Sequence, residues 1–563
     1  MPTAPLTTER RDAALEQMSS QELDILVIGG GVTGVGAALD AATRGLRVGL
    51  VEKTDFAQGT SSRSTKLMHG GLRYLEQLDF KLVREALQER GLAISKLSPH
   101  LVKGIPILYP LTRKGWERPY TGAGVLLYDL LAGTSPAVPR HRHYSKKKAL
   151  ALNPGLNSDV LTGGIRYYDG QVDDARHTMF IGRTAAKHGA HVATYAEVTD
   201  LTVEAGHVVG ATVRDNRNGK SFDVRAKQVI NAAGPWTDVI QRMGGNAAVK
   251  VQPSKGIHFL VDRSKIPNTT GLIQRTEKSV LFTIPWGKYW LIGTTDTAWE
   301  YDLDEPAAHG GDIDYLLERL NSVLTNPITH ADIRGVYSGL RPLVVPAEGA
   351  GSTAKLSREH AVMETVPGLL TIAGGKYTTY RVMAKDVVDA AAERLPQRVP
   401  ECITEDVLLM GAEGYWARMN ERERIAEDVG LHPGWITHLL DRYGDLIDEL
   451  LALIEDQPDL GKPLEHAPGY LRVEALYGAT HEGAQTLEDV IARRTRTFIE
   501  QSDRGVSAAE EVAGLIAGPL GWDEDRVKQE IDQYKRIVDA TLAAEKVSTD
   551  EEAYEARKKA LAG

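Results

Sequence analysis

The chain has 563 residues, 42% of them hydrophobic and 25% charged, so it can fill more than one core and contains no low-complexity tract. No apolar stretch approaches the ~18–20 residues that span a bilayer, and residues 1–22 lack the apolar region of a signal peptide. With Cys402 as the only cysteine, an internal disulfide, a cysteine metal cluster and a dithiol redox pair are excluded. The net charge of −10 gives no reason to expect a nucleic-acid partner, but it conceals an asymmetry: between Arg63 and Lys148, 16 Lys/Arg stand against six Asp/Glu.

Taken in chain order, residues 1–22 read as a mobile tail. The run Ile25–Ile28 reads as a buried parallel strand, and Gly29, Gly31 and Gly34 then fall in G-x-G-x-x-G register before an Ala-rich helical segment, 35–43. A second strand, Val48–Val51, ends on Glu52. In this pattern the first glycine makes the tight turn and the second lets a pyrophosphate approach the backbone. The third lets helix and strand pack closely, and an acid about 20 residues on accepts from a ribose hydroxyl. The helix N-terminus adds free N–H groups and a positive dipole end. A dinucleotide site is therefore expected here.

After Pro99 the texture becomes Pro- and Gly-punctuated loops through Pro154. Residues 160–240 return to short strands and helices, with a strand at 224–230 feeding the small-residue turn Asn231–Trp236, which holds Gly234. Residues 250–345 look β-rich, with strands near 257–261, 280–284 and 290–293. A strand at 369–372 ends on Gly374 and Gly375 and starts another helix, the kind of late turn with which a flavoprotein approaches its isoalloxazine. From about 400 the pattern is helical to the end.

The motifs Gly29–Gly34, Thr60–Tyr74, Ile292–Asp296, Tyr337–Pro342, Gly374–Arg381 and Thr486–Arg496, in this order, resemble the FAD-dependent, respiratory glycerol-3-phosphate dehydrogenases over residues 23–500. Val32-Thr33 replaces a common Ile-Asn, and the last ~50 residues have no counterpart. The resemblance implies an α/β fold: an FAD-binding, Rossmann-like domain of the glycine-oxidase type with an interleaved mixed-sheet substrate domain, then an all-helical C-terminal domain. The expected limits are 23–400, with the substrate domain at about 80–160 and 245–355, and 401–563.

It also implies non-covalent FAD and oxidation of sn-glycerol 3-phosphate to dihydroxyacetone phosphate, with electrons passing to a membrane quinone. The alternatives are a glycerophosphate oxidase using O2, an amino-acid or amine oxidase of the same fold, and an FAD-holding scaffold without activity. A phosphate-bearing polyol needs fixed cations, and Arg73, Arg341, Arg358 and Lys376 lie in or beside the matched motifs. Loss of a hydroxyl proton needs a base titrating near neutrality, for which the resemblance favours His258, with Arg341 also at the reacting centre. Thr294 and Thr295 offer hydroxyls to substrate. Ser61, Ser62 and Ser64 offer theirs to the FAD pyrophosphate, and His69 is a cofactor-side loop residue. An apolar run, Leu126–Leu131, flanked by Arg113, Lys114, Arg118, Arg140, Arg142 and Lys146–Lys148, suggests a dock on an anionic membrane surface. The expected location is cytoplasmic and peripheral on the inner face of the membrane, and a homodimer is compatible with it.

Overall fold

The computed structural model describes residues 4–133, 137–245, 248–276, 280–304, 306–345 and 359–562. Its first sheet is built on five parallel strands, Leu369–Gly374, Ser221–Asn231, Leu23–Ile28, Val48–Val51 and His191–Ala193 in spatial order. Leu23–Ile28, at the centre, is buried at every position, as a parallel strand covered on both faces must be. Its side chains alternate between two cores. Ile25 and Val27 meet the helices Val32–Thr43, Asp174–Lys187 and Tyr380–Ala392 through Val35, Ala38, Phe180 and Val387. Leu26 and Ile28 meet the antiparallel strands Ala196–Glu204 and His207–Asp215 and the helix Thr8–Ser20.

That last helix corrects the expected mobile tail. Ala14, Leu15 and Met18 are buried against the sheet, and Arg11 reaches Asp215 at 2.6 Å and the Thr194 carbonyl at 2.7 Å. The helix was missed because its apolar stripe is only three residues wide and its anchor is a buried ion pair, which leaves no mark in a hydropathy pattern.

A second, mixed sheet has ten strands among the described residues. Two long strands, Lys250–Asp262 and Ile333–Val345, pair antiparallel along almost their whole length, which sets His258 opposite Tyr337; on its other side His258 faces Gly293 of the strand Tyr289–Gly293. The stretch expected to be loops through Pro154 instead holds the strand Val102–Leu111, the helix Glu117–Leu131, the strand Arg142–Ser145 and the helix Lys146–Leu152. Pro106 and Pro110 are tolerated because the strand's second neighbour, Gly271–Arg275, pairs with it only at Ile107 and Leu108.

The C-terminal helices pack on the nucleotide domain through a continuous apolar core, with Ile436, Leu440, Leu446 and Leu450 joining Phe180 and Val387. They are also fastened by buried arginines. Arg494 donates to both oxygens of Asp55 at 2.8 Å and to the Glu482 carbonyl at 2.7 Å, and Arg493 meets Asp55 at 2.5 Å. Asp55 is fully buried, so removing one of its two arginines leaves a buried charge only partly compensated. Arg494→Ala is expected to lower the unfolding free energy by about 3–5 kcal/mol in urea titrations. A change below 1 kcal/mol would show that this junction does not hold the domains together.

Candidate active site

The strand Leu23–Ile28 runs into Gly29, whose φ is +114°, and the helix starts at once, at Val32. A Cβ on Gly34 would stand 1.9 Å from the Gly29 carbonyl oxygen, so only glycine lets this helix begin so close to its strand. Gly31, the N-cap, offers no side chain, and the Ser61 hydroxyl accepts the Val32 N–H at 2.9 Å instead. Glu52 accepts the Gly30 N–H at 2.6 Å and the Thr54 N–H at 2.9 Å. Burial pushes its carboxyl up, and those donors oppose the rise. Across the sheet, Gly374 and Gly375 turn the chain in the left-handed region ahead of the helix Tyr380–Ala392.

These turns line one cavity of about 630 Å³. Gly234 and Ser64 line it too, as do His69, Thr65, His258, Arg341 and Lys376. A side-chain-free helix N-terminus, an acid at the end of the neighbouring strand and a second glycine turn together fit an extended dinucleotide carrying a flavin. Among the three serines only Ser61 and Ser64 line the cavity; Ser62 lies behind it and gives its carbonyl to Lys66 at 2.9 Å. The hydroxyl of Ser64 is taken up by Asp174 at 2.7 Å.

His258 is stacked on Tyr337, with centroids 4.9 Å apart and planes at 11°, because the two stand opposite each other across the strand pair. Its Nε2 lies 2.9 Å from the Thr65 hydroxyl. Burial, reinforced by the cations Arg341 and Lys66, pushes its imidazole well below the ordinary histidine range, so the ring is neutral at neutral pH. Arg341 donates to the Thr294 hydroxyl at 3.1 Å and to the Thr295 carbonyl at 3.0 Å. The Thr295 hydroxyl accepts the Ile257 N–H, so neither threonine lines the cavity; both hold the arginine that does. The Lys376 ammonium stands 3.6 Å above the Tyr74 ring, and His69 sets its ring edge-on to Phe282. Arg73 sits in the helix Leu72–Glu76 with its side chain outside the described atoms, and Arg358 lies outside the described residues.

Residues 24–381 match the family model for FAD-dependent oxidoreductases, and 402–527 match that for the C-terminal domain of alpha-glycerophosphate oxidase. The chain is 52% identical to glycerol-3-phosphate dehydrogenase of Mycobacterium leprae over 97% of its own length and 93% of the relative's. It is 38% identical to mitochondrial glycerol-3-phosphate dehydrogenase SDP6 of Arabidopsis thaliana, over 96% and 90%. The chain belongs to the FAD-dependent glycerol-3-phosphate dehydrogenase family. Its fold is that of the Bacillus halodurans glycerol-3-phosphate dehydrogenase complexed with FAD, at 30% identity and a TM-score of 0.78 over 95% of this chain and 98% of that one. Glycine oxidase from Bacillus cereus shares the fold alone, at 18% identity and a TM-score of 0.51 over 67% of this chain and 99% of that one. FAD is the cofactor these residues hold.

Two groups around the site escaped the sequence reading. Beneath the loop Ser61–Lys66, Asp174 takes Ser64, the Lys66 ammonium at 2.6 Å and Arg496 of the C-terminal domain. Beside it, the Tyr128 hydroxyl donates to Asp169 and accepts the Gly70 N–H, both at 2.7 Å, which fixes the loop carrying His69. Asp174 and Arg496 are more than 300 positions apart, and a charge in a core has no periodic neighbour to announce it.

Three histidines, His100, His177 and His258, are buried and held neutral, and burial drives His177 down to about 3. The unfolded chain binds a proton at that residue below about pH 6.5 while the folded chain does not. Stability is therefore lost as pH falls from about 6.5 toward 3, by about 1.4 kcal/mol per pH unit. His177→Gln is expected to flatten the slope of unfolding free energy between pH 6.5 and 4.5 by that amount. Equal slopes would mean that His177 is not held neutral in the folded protein.

Proposed function

We propose that the protein oxidises sn-glycerol 3-phosphate to dihydroxyacetone phosphate, with a membrane quinone as the final electron acceptor. The observation that carries this reading is that one cavity joins the dinucleotide turn, a buried neutral imidazole at His258 and the cations Arg341 and Lys376. The names of the relatives, shared over nearly the whole chain, support the substrate. Arg341, aimed by Thr294 and Thr295, presents a planar fork to the phosphate, and Lys376 adds a second charge. Arg73 and Arg358 are assigned to the same phosphate. His258, neutral and held by Thr65 and Tyr337, takes the hydroxyl proton as the carbonyl forms. Bound FAD, held without a covalent bond, supplies the acceptor for the hydride that leaves C2. The test is anaerobic bleaching of the yellow protein by glycerol 3-phosphate, glycerol and an amino-acid panel, followed by reoxidation with a quinone analogue or O2. Bleaching by an amino acid but not by the phosphate ester would overturn the substrate, and fast reoxidation by O2 alone would overturn the quinone.

Arg341→Ala is expected to raise KM for glycerol 3-phosphate about 10- to 150-fold, the equivalent of roughly 1.5–3 kcal/mol for a charge-assisted hydrogen bond, with FAD content unchanged. An equal loss with unphosphorylated glycerol would show that Arg341 does not read the phosphate. His258→Ala is expected to slow flavin reduction about 10²- to 10⁴-fold, and an unchanged rate would pass the role of base to another group.

The protein is also proposed to be peripheral, on the inner face of the cytoplasmic membrane. No helix among the described residues is long and apolar enough to cross a membrane. The helix Glu117–Leu131 buries Val125 and Tyr128 but turns Tyr120, Leu126 and Leu130 outward, continuing a stripe that begins at Trp116; Leu130 is 65% exposed. Arg113, Lys114, Arg140, Arg142 and Lys146–Lys148 are exposed around it. An apolar stripe rimmed by cations matches a lipid interface, each cation adding about 1 kcal/mol near an anionic surface. Trp116→Ser with Leu130→Ser, and separately charge reversal at Lys146–Lys148, are expected to reduce co-sedimentation with anionic vesicles while flavin reduction is retained. High salt should release the wild type in part. Binding indifferent to salt and to both variants would contradict the dock.

A further inference from the structure

The ring of His258 is held from several sides, and most of these contacts trace to one short segment. Tyr337 stacks on it, and the Tyr337 hydroxyl donates to the Ser64 carbonyl at 2.7 Å. On the facing strand, a Cβ on Gly293 would lie 2.1 Å from the ring, so the strand passes close only because that position is glycine. Thr65 supplies the hydrogen bond to Nε2, and both of its neighbours are tied to a single carboxylate. Ser64 donates to Asp174 through its N–H at 3.0 Å and its hydroxyl at 2.7 Å, and the Lys66 ammonium meets the other oxygen at 2.6 Å. Lys66 has a φ of +57°, a left-handed conformation that a lysine adopts at a cost.

We propose that Thr65 is the positioning residue of the base: its hydroxyl, 2.9 Å from Nε2 of His258, fixes the imidazole in its plane against Tyr337 and so sets how the ring meets the substrate. In the step itself the substrate O–H bond breaks and an N–H bond forms on the imidazole, while bound FAD would supply the acceptor for the hydride from C2. The proposal rests on His258 being the base.

The test is anaerobic stopped-flow flavin reduction by glycerol 3-phosphate, from pH 5.5 to 9, in Thr65→Val, Thr65→Ala and Thr65→Ser, with His258→Ala as reference. Valine keeps the shape without the hydroxyl; alanine removes both and needs no space. Both are expected to reduce flavin about 10- to 100-fold more slowly, the loss typical when a hydrogen bond that orients a functional histidine is removed. The pH profile should shift while KM and FAD content hold, and serine should recover the rate to within about threefold. If His258→Ala abolishes reduction while either hydroxyl-free variant stays within twofold of wild type with the same pH profile, the role of Thr65 is refuted and the base stands. If His258→Ala itself reduces flavin normally, the assignment of the base fails.

Discussion

The carboxylate of Asp174 is the interaction on which the geometry of the site depends. It begins the helix Asp174–Lys187 of the nucleotide domain, yet its oxygens hold Ser64 and Lys66 of the loop below the cavity and Arg496 of the C-terminal domain. Burial, together with Arg496, pushes the Lys66 ammonium down to about 8, so the lysine keeps its charge near neutral pH chiefly because Asp174 and Asp173 face it. A buried pair of this kind adds little net stability but is costly to leave half-made. What it secures is a single arrangement of the loop. The helical domain is therefore part of the site's frame, although Arg496 does not itself line the cavity.

The same charges set the chemistry. Burial first, and then Arg341 and Lys66, disfavour a proton on His258, which keeps the imidazole neutral and able to act as a base. A phosphate dianion held by Arg341 would offset part of that repulsion and raise the proton affinity of the ring when substrate arrives. Substrate binding and activation of the base would thus be coupled through one guanidinium, whose direction is set by Thr294 and Thr295.

Local chemistry was legible in the sequence wherever the constraint was local. The turn Gly29–Gly34 could be read because sterics demand glycine at fixed offsets, and Glu52 because it ends the next strand. The strand carrying His258 is visible as an apolar run, whereas Arg341, set between Gly339-Leu340 and Pro342, reads as part of a turn and instead lies on the strand Ile333–Val345. Ser61, Ser62 and Ser64 all read as cofactor residues; Ser61 and Ser64 do line the cavity, but Asp174, 110 positions away, takes the Ser64 hydroxyl, and Ser62 lies behind the cavity. The helix Thr8–Ser20 and the strand Val102–Leu111 were missed for a related reason. A buried Arg11–Asp215 pair and a strand with two prolines look polar or broken until the partner strands are known.

Hydrogen exchange across the loop Ser61–Leu67 in the FAD-bound protein and in Arg496→Met tests the central dependence most directly. If Asp174 holds this loop only when its partners are complete, the amides of Ser64 and Lys66, which donate to the Asp174 carboxylate and to the Ser64 hydroxyl, should lose protection in the variant. Those of the central strand Leu23–Ile28 should keep theirs. Unchanged protection at Ser64 and Lys66, with Arg496 gone and the fold intact, would contradict the account and make the helical domain incidental to the site.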